Sequence, residues 1–312
     1  MPTHTEIHAL FDGINVWRRG GQRAPHKPLL LLMTLARVQR GESRLAPFAS
    51  IEEPLTTLLR EFGPQRQSYH PEFPFWRLQN DGDFWEVPER DTVHSALGDR
   101  QGGDVPKSIL RDHGVSGGFS TDVDAYLRQH PELVNQLAAR LLEEHFPGTY
   151  TDDLLNAVGM PFVVEPRAGR RPRDPGFRDH ILRIYSYRCA VCGYDGRLGH
   201  AVLGVEAAHI KWHAASGPDS ADNGVALCAM HHKLLDRGAL GLTDDLRIQV
   251  SQEVHGNDAV DDLIVRYHNQ PLLLPQSGQP RPATPHIHWH TREVFKGPAR
   301  ATGVDVEAET TP

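Results

Sequence analysis

The chain has 312 residues, 33 Lys and Arg against 40 Asp and Glu, a formal net charge of −7 and a pI near 6.2. So acidic a protein has no global positive field to gather polyanions, and any nucleic-acid contact must come from local patches. No apolar run reaches the ~18 residues of a membrane span, no charged-then-apolar leader opens the chain, and the length suits two domains, each able to bury a core.

Residues 5–19 read as a helix, with Ile7, Leu10, Phe11 and Ile14 on one face. Arg18-Arg19-Gly20-Gly21-Gln22-Arg23 reads as a basic turn, and residues 1–50 hold seven Arg or Lys against three acids. Ala24-Pro25-His26-Lys27-Pro28 then leads into a second helix. Pro28 suits its first turn and Gly41 its stop. Leu29 to Met33 is apolar on every side, which makes this helix central. His26 and Lys27 fall at its N-terminus, where amide donors favour phosphate; a plain helix cap is the alternative.

Residues 51–63 read as a helix. Tyr69 to Gln79 packs aromatics, two prolines and cationic side chains together, and with the turn Asn80-Asp81-Gly82-Asp83 and the strand Phe84 to Val87 it reads as a hairpin. A helix follows around Val105–Arg111. Gly114 to Gly118 is a glycine-rich loop whose backbone could contact phosphate. Residues 121–129 and 132–146 read as helices, the latter with Leu133, Leu137 and Leu141 in register. Residues 151–176 read as a linker, with a short helix over 151–163 open to either side and an Arg-, Gly- and Pro-rich stretch from Pro166 to Pro175. Phe177 to Tyr187 reads as an amphipathic helix, and residues 167–188 carry seven Arg against two Asp.

From Cys189 to Asp236 two patterns overlap. Cys189 and Cys192 form a C-x2-C knuckle, and Cys228 with His231 a C-x2-H knuckle. Such a set suits one tetrahedral Zn²⁺. Lone cysteines are usually buried or free thiols; two spaced pairs that use all three cysteines of the chain argue otherwise. Thiols spent on a metal rather than on bridges suit a reducing, cytoplasmic setting. The second pattern is His209, Asn223 and His232, on a strand, a loop and a short helix. Phosphodiester hydrolysis needs a base for water and a metal for the charge on phosphorus. A neutral His can serve as the base and another can hold the metal. Taken singly, each of the three would be an ordinary core, surface or loop residue.

The order His, Asn, His framed by zinc knuckles resembles the HNH endonucleases of the ββα-metal fold. The resemblance implies His209 as general base, Asn223 as positioning residue and His232 as ligand of a catalytic divalent ion, Mg²⁺ or Mn²⁺. It also implies structural zinc at Cys189, Cys192, Cys228 and His231. Many members carry an acidic metal ligand directly before the first His; here that position is Ala208, and Glu206 and Asp236 are the candidates for its role.

Beyond Asp236, residues 239–242 and 246–250 flank Thr243-Asp244-Asp245 as a hairpin. His286-Ile287-His288-Trp289-His290 reads as one strand face rather than a metal tract. Residues 300–312 are acidic and read as a disordered tail.

Residues 1–150 resemble the sulfur-binding domain found beside HNH nucleases. The resemblance rests on APHKPLLLL (24–32), HPEFPFWRLQNDGDFWEV (70–87) and Arg100. That family recognises DNA in which sulfur replaces a non-bridging phosphate oxygen. Sulfur is larger and more weakly hydrated than oxygen, so an apolar cup rimmed by cations should prefer it. The resemblance implies Phe73, Pro74, Arg77 and Arg100 for the cup, and His26 and Lys27 for neighbouring bases or phosphates. Phe73 stands where the family usually has Tyr, and Arg77 where a small residue is expected.

The expectation is therefore an α+β protein. A mainly helical DNA-binding domain with a small β hairpin spans 1–150, and a linker spans 151–176. A ββα-metal nuclease domain spans 177–299. The expected substrate is double-stranded DNA carrying phosphorothioate, cut near the mark by a homodimer, since one HNH module cuts one strand. The alternatives are an HNH endonuclease acting on unmodified or methylated DNA, and a zinc-ribbon DNA-binding protein without catalysis.

Overall fold

The computed structural model describes residues 2–16, 21–98, 104–160 and 175–301. The turn at 18–20, Arg100, most of the Pro166–Pro175 stretch and most of the acidic tail lie outside these residues. The chain divides into two compact units, Met1–Ala168 and Gly169–Pro312.

The first unit begins with α1 (His4–Asp12), which Thr3 and Glu6 close with a reciprocal capping box. Next come α2 (His26–Gln39), β1 (Ala46–Pro47), α3 (Phe48–Phe62), α4 (Glu72–Arg77) and β2 (Trp85–Glu86). The unit continues with α5 (Arg90–Leu97), α6 (Lys107–Asp112), β3 (Ser116–Phe119), α7 (Thr121–Gln129), α8 (Pro131–His145) and α9 (Thr151–Val158). The leucine run of α2 is buried from Leu29 to Leu32, as its all-round apolarity requires, and the helix packs on α3, α4, α7, α8 and α9.

Two expectations are corrected here. Residues 72–77 are helical, not the first strand of a hairpin. Pro71 precedes the helix and Pro74 lies in its first turn, where no amide is owed to the ladder, so the prolines start a helix rather than break a strand. β2 instead pairs with β3, which lies between β1 and β2 in an antiparallel sheet. The glycine-rich stretch is that central strand, not a phosphate loop. A Cβ on Gly118 would sit 2.1 Å from the Arg44 carbonyl oxygen and one on Gly117 2.9 Å from the Phe75 ring, so these glycines serve close packing. The first unit also runs past residue 150. α9 buries Leu154, Leu155 and Val158, and Arg40 Nη1 donates to the Val158 carbonyl at 2.7 Å.

The second unit opens with α10 (Pro175–Ile184). Ser186 and Tyr187 then adopt left-handed backbone before the first knuckle. The hairpin β4 (Arg197–Leu198) and β5 (Ala201–Val202) precedes β6 (Val205–His209) and β7 (Gly224–Cys228), which pair antiparallel and lead directly into α11 (Ala229–Asp236). This is the expected ββα unit. β8 (Leu240–Leu242) and β9 (Ile248–Val250) form the expected second hairpin. α12 (Asp258–Leu263) and α13 (Thr284–Glu293) follow. α13 corrects the strand expected over 286–290. Pro285 starts the helix, and its buried face is Ile287, Trp289, His290 and Glu293. Among the described residues no helix is long and apolar enough to cross a membrane.

Candidate active site and metal centre

The knuckles converge. One ligand atom from each of Cys189, Cys192, Cys228 and His231 lies within 4.8 Å of all the others. His231 Nδ1 is 3.1 Å from Cys228 Sγ and 3.5 Å from Cys189 Sγ. Ligands on one tetrahedral zinc stand roughly 3.6–3.8 Å apart, so the set is sized for a single ion. Its outer contacts fit as well. His231 Nε2 lies 3.1 Å from the Leu263 carbonyl, which accepts its proton and leaves the Nδ1 lone pair to the cluster. The Cys189 amide donates to the Tyr194 carbonyl and the Ala190 amide to Ala226, which fixes the first knuckle to β7. Crowding splits the thiol acidities: Cys192 and Cys228 hold the Cys189 thiol far below the usual range, and Cys189 and Cys192 push that of Cys228 up. Three thiols this close cannot all ionise without a shared cation. The group can hold a metal ion.

His209 ends β6. Its ring stacks on Phe177 of α10, centroids 4.1 Å apart and planes at 14°, and Nε2 is 2.7 Å from Asp219 Oδ1. Asp219 carries no sequence signal of its own, because its role depends on how the 210–223 loop closes. Asn223 closes it. Its amide is fully buried and makes three bonds: Oδ1 accepts from the Lys211 amide at 2.8 Å, and Nδ2 donates to the carbonyls of Lys211 at 3.0 Å and Pro218 at 2.9 Å. Asn223 thus braces the loop that carries Asp219 to His209 and faces no open site itself.

His232 lies on α11. Nδ1 is 2.7 Å from Glu206 Oε2 and Nε2 is 3.3 Å from Asp236 Oδ2. Glu206 and His209 are three residues apart on one regular strand, so they point to opposite faces of the hairpin. His209 faces α10 and Glu206 faces α11. The structure thus brings His209 and Asn223 into one network and gives His232 a separate one with Glu206 and Asp236.

In the first unit, α4 gathers the expected cup residues. Phe73 stacks on His70, centroids 4.5 Å apart and planes at 6°, and the Arg77 guanidinium lies 4.5 Å from the centre of the same ring. Arg77 also pairs with Asp104. Pro74 is buried within the helix. Burial lowers the His26 pKa to about 4, helped by the charges of Arg66, His70 and Arg77, so His26 is neutral near pH 7. Lys27 has intramolecular partners at the start of α2. Its ammonium is 2.6 Å from Asp81 Oδ2 and 2.9 Å from the Asn15 carbonyl, which ties α2 to two loops. His70 and Arg66 carry no sequence signal of their own, because their nearness to Phe73 and His26 depends on the tertiary fold.

Two family models match the chain: the ScoMcrA-like DNA sulfur-binding domain over residues 4–162 and the HNH endonuclease domain over residues 189–243. No curated protein matches it. Among solved structures, it is similar to the sulfur-binding domain of ScoMcrA complexed with phosphorothioated DNA, at 26% identity over 49% of this chain and 94% of that one, TM-score 0.42. It is similar to the Type IV phosphorothioation-dependent restriction endonuclease ScoMcrA, at 24% identity over 49% of this chain and 28% of that one, TM-score 0.40. It is also similar to the modification-dependent TagI restriction endonuclease, at 25% identity over 38% of each chain, TM-score 0.29. The sulfur-binding model spans half the chain and the HNH model covers both knuckles and the His-Asn-His trio; the chain belongs to the ScoMcrA-like DNA sulfur-binding family and carries an HNH endonuclease domain.

Proposed function

We propose that the protein is a modification-dependent restriction endonuclease: its first unit binds phosphorothioated double-stranded DNA and its second hydrolyses phosphodiester bonds near the mark. The observation that carries the reading is the His209–Asp219 pair at the end of an HNH hairpin. The carboxylate accepts the Nε2 proton, which leaves Nδ1 as the basic atom of a ring held flat by Phe177. Such a ring can take a proton from water. Asn223 acts one step back, as the brace of that loop. His232 is the ligand of a divalent ion, Mg²⁺ or Mn²⁺, which when bound would stabilise charge on the phosphate and leaving oxygen. Cys189, Cys192, Cys228 and His231 hold structural Zn²⁺, for which sulfur and imidazole donors at this spacing are well matched.

In the first unit, Phe73 between His70 and Arg77 supports a weakly hydrated, cation-edged surface of the kind that favours sulfur over oxygen. Phe73, Pro74, Arg77 and Arg100 form the cup in this reading, with neutral His26 beside it. Lys27 acts through Asp81 to set the N-terminus of α2. Because one module cuts one strand, double-strand cleavage takes two copies, and we propose a homodimer on DNA in the cytoplasm. The experiment is digestion of matched duplexes with and without one phosphorothioate, in Mg²⁺ or Mn²⁺, by wild type and His209→Ala. Wild type should cut only the modified duplex, and His209→Ala neither. Equal cutting of both duplexes would remove the sulfur claim, and full activity of His209→Ala would remove the HNH mechanism.

A further inference from the structure

We infer that Glu206 is the second protein ligand of the catalytic divalent ion and that Asp236 is the buried carboxylate that orients His232 toward it; this rests on the nuclease reading above. The position directly before His209 is Ala208, fully buried and without a donor. Strand alternation puts Glu206 on the same face as Ala208, one pleat earlier and turned toward α11. There its carboxylate meets His232: Oε2 is 2.7 Å from Nδ1.

The ring's protons decide the roles. Both nitrogens of His232 face carboxylate oxygens, Nδ1 at Glu206 and Nε2 at Asp236. A neutral imidazole has one N–H, so only one of these contacts is an ordinary hydrogen bond. The other places a lone pair against an anionic oxygen and needs a cation between them, either a proton or a metal ion. Burial separates the two. The Asp236 side chain is 3% exposed and sits one helical turn beyond His232, whereas that of Glu206 is 47% exposed. Asp236 is therefore the inner partner that takes the Nε2 proton, as the carboxylates behind metal-bound histidines do. Glu206 is the outer one, reachable by an ion and by a phosphate. The two carboxylates lie on opposite ring nitrogens, so Asp236 cannot share an ion with Glu206 and Nδ1 in this arrangement. One carboxylate and one imidazole, completed by water and substrate oxygens, is a donor set for Mg²⁺ or Mn²⁺, distinct from the sulfur-rich knuckle site.

The test is Mn²⁺ binding to the zinc-loaded full chain, followed by the electron paramagnetic resonance signal of free Mn²⁺, with zinc content and melting midpoint recorded for every variant to report folding. Glu206→Gln should weaken Mn²⁺ binding by about tenfold or more, and Asp236→Asn by ~10–100-fold. Glu206→Cys should turn the site from Mn²⁺ toward thiophilic Cd²⁺, read by competition, and Asp236→Cys should not. If His232→Ala abolishes binding while Glu206→Gln leaves it unchanged, or if Asp236→Cys is the variant that gains Cd²⁺, the assignment of Glu206 is overturned and the nuclease reading stands. If wild type binds no Mn²⁺, or His232→Ala binds as wild type does, the metal role of His232 itself falls.

Discussion

Replacing Asn223 by Asp changes one atom and should cost both stability and cleavage. The carboxylate keeps the oxygen that accepts from the Lys211 amide. It loses both protons now given to the carbonyls of Lys211, at 3.0 Å, and Pro218, at 2.9 Å. The site is fully buried, so neither carbonyl regains water. Each abandoned acceptor costs about 1–3 kcal/mol, or about 2–6 kcal/mol together. The loop that holds Asp219 against His209 would open at least ~30-fold more often, since every 1.4 kcal/mol is tenfold. The introduced carboxylate, buried and facing carbonyl oxygens, has a raised pKa in the folded state. Protonation restores one donor, so the deficit is smallest in acid and grows as pH climbs from about 4 through that raised value. Hydrogen exchange at Ile210 and Lys211, whose amides bond to Asn223, reads the opening directly. Cleavage of phosphorothioated duplex reads its effect on His209. Wild-type exchange at both amides together with an unchanged melting midpoint would refute the bracing role.

Cys228→Ser should lower bound zinc below one per chain by elemental analysis and unfold the ββα unit at a lower temperature, because metal binding to a knuckle site is folding free energy. Lys27→Met leaves the Asp81 carboxylate, 5% exposed, without its cation. The expected loss is about 3–5 kcal/mol in denaturant unfolding, with the salt dependence of DNA binding unchanged; a shallower salt slope would show that Lys27 touches phosphate instead. His26 titrates at about 4 in the fold against an unperturbed ~6.5. The folded state therefore resists its protonation. The stability it supports is present above pH ~6.5 and is lost as pH falls toward 4, by up to about 3 kcal/mol. His26→Gln should flatten that acid limb of the unfolding profile.

What could be read from residues alone follows how local each signal is. The knuckles and the His-Asn-His order are short-range spacings, and the structure brings Cys189, Cys192, Cys228 and His231 together as that spacing demands. The long helices were legible for the same reason: Leu133, Leu137 and Leu141 recur at helical period, and Leu29 to Leu32 could only be central. Short windows failed. Phe73 and Phe75 alternate like a strand over too few residues to separate that period from a helical one, and the prolines that decided the matter are as much helix starters as strand breakers. The same ambiguity misled the reading of His286, His288 and His290, where Pro285 opens a helix. Gly117 and Gly118 looked like a flexible loop because the Arg44 carbonyl and Phe75 ring that crowd them come from distant segments. At the candidate site, Asp219 was hidden in the same way: it is one carboxylate among many until a loop sets it against an imidazole.

The carbonyl of Leu263 that accepts from His231 lies twenty residues past the end of the matched HNH stretch at 243. The backbone amides of Leu273 and Ala283 tie that extension to the carbonyls of Ala190 and Asp222, and the His290 side chain donates Nε2–H to the Leu235 carbonyl beside the His232 network. A fragment trimmed to the matched residues would keep all four knuckle ligands and the whole His-Asn-His trio. It would nonetheless strip the tautomer lock from His231 and the outer layer from the loop that carries Asp219, so the smallest fragment that keeps these contacts must reach beyond Glu293.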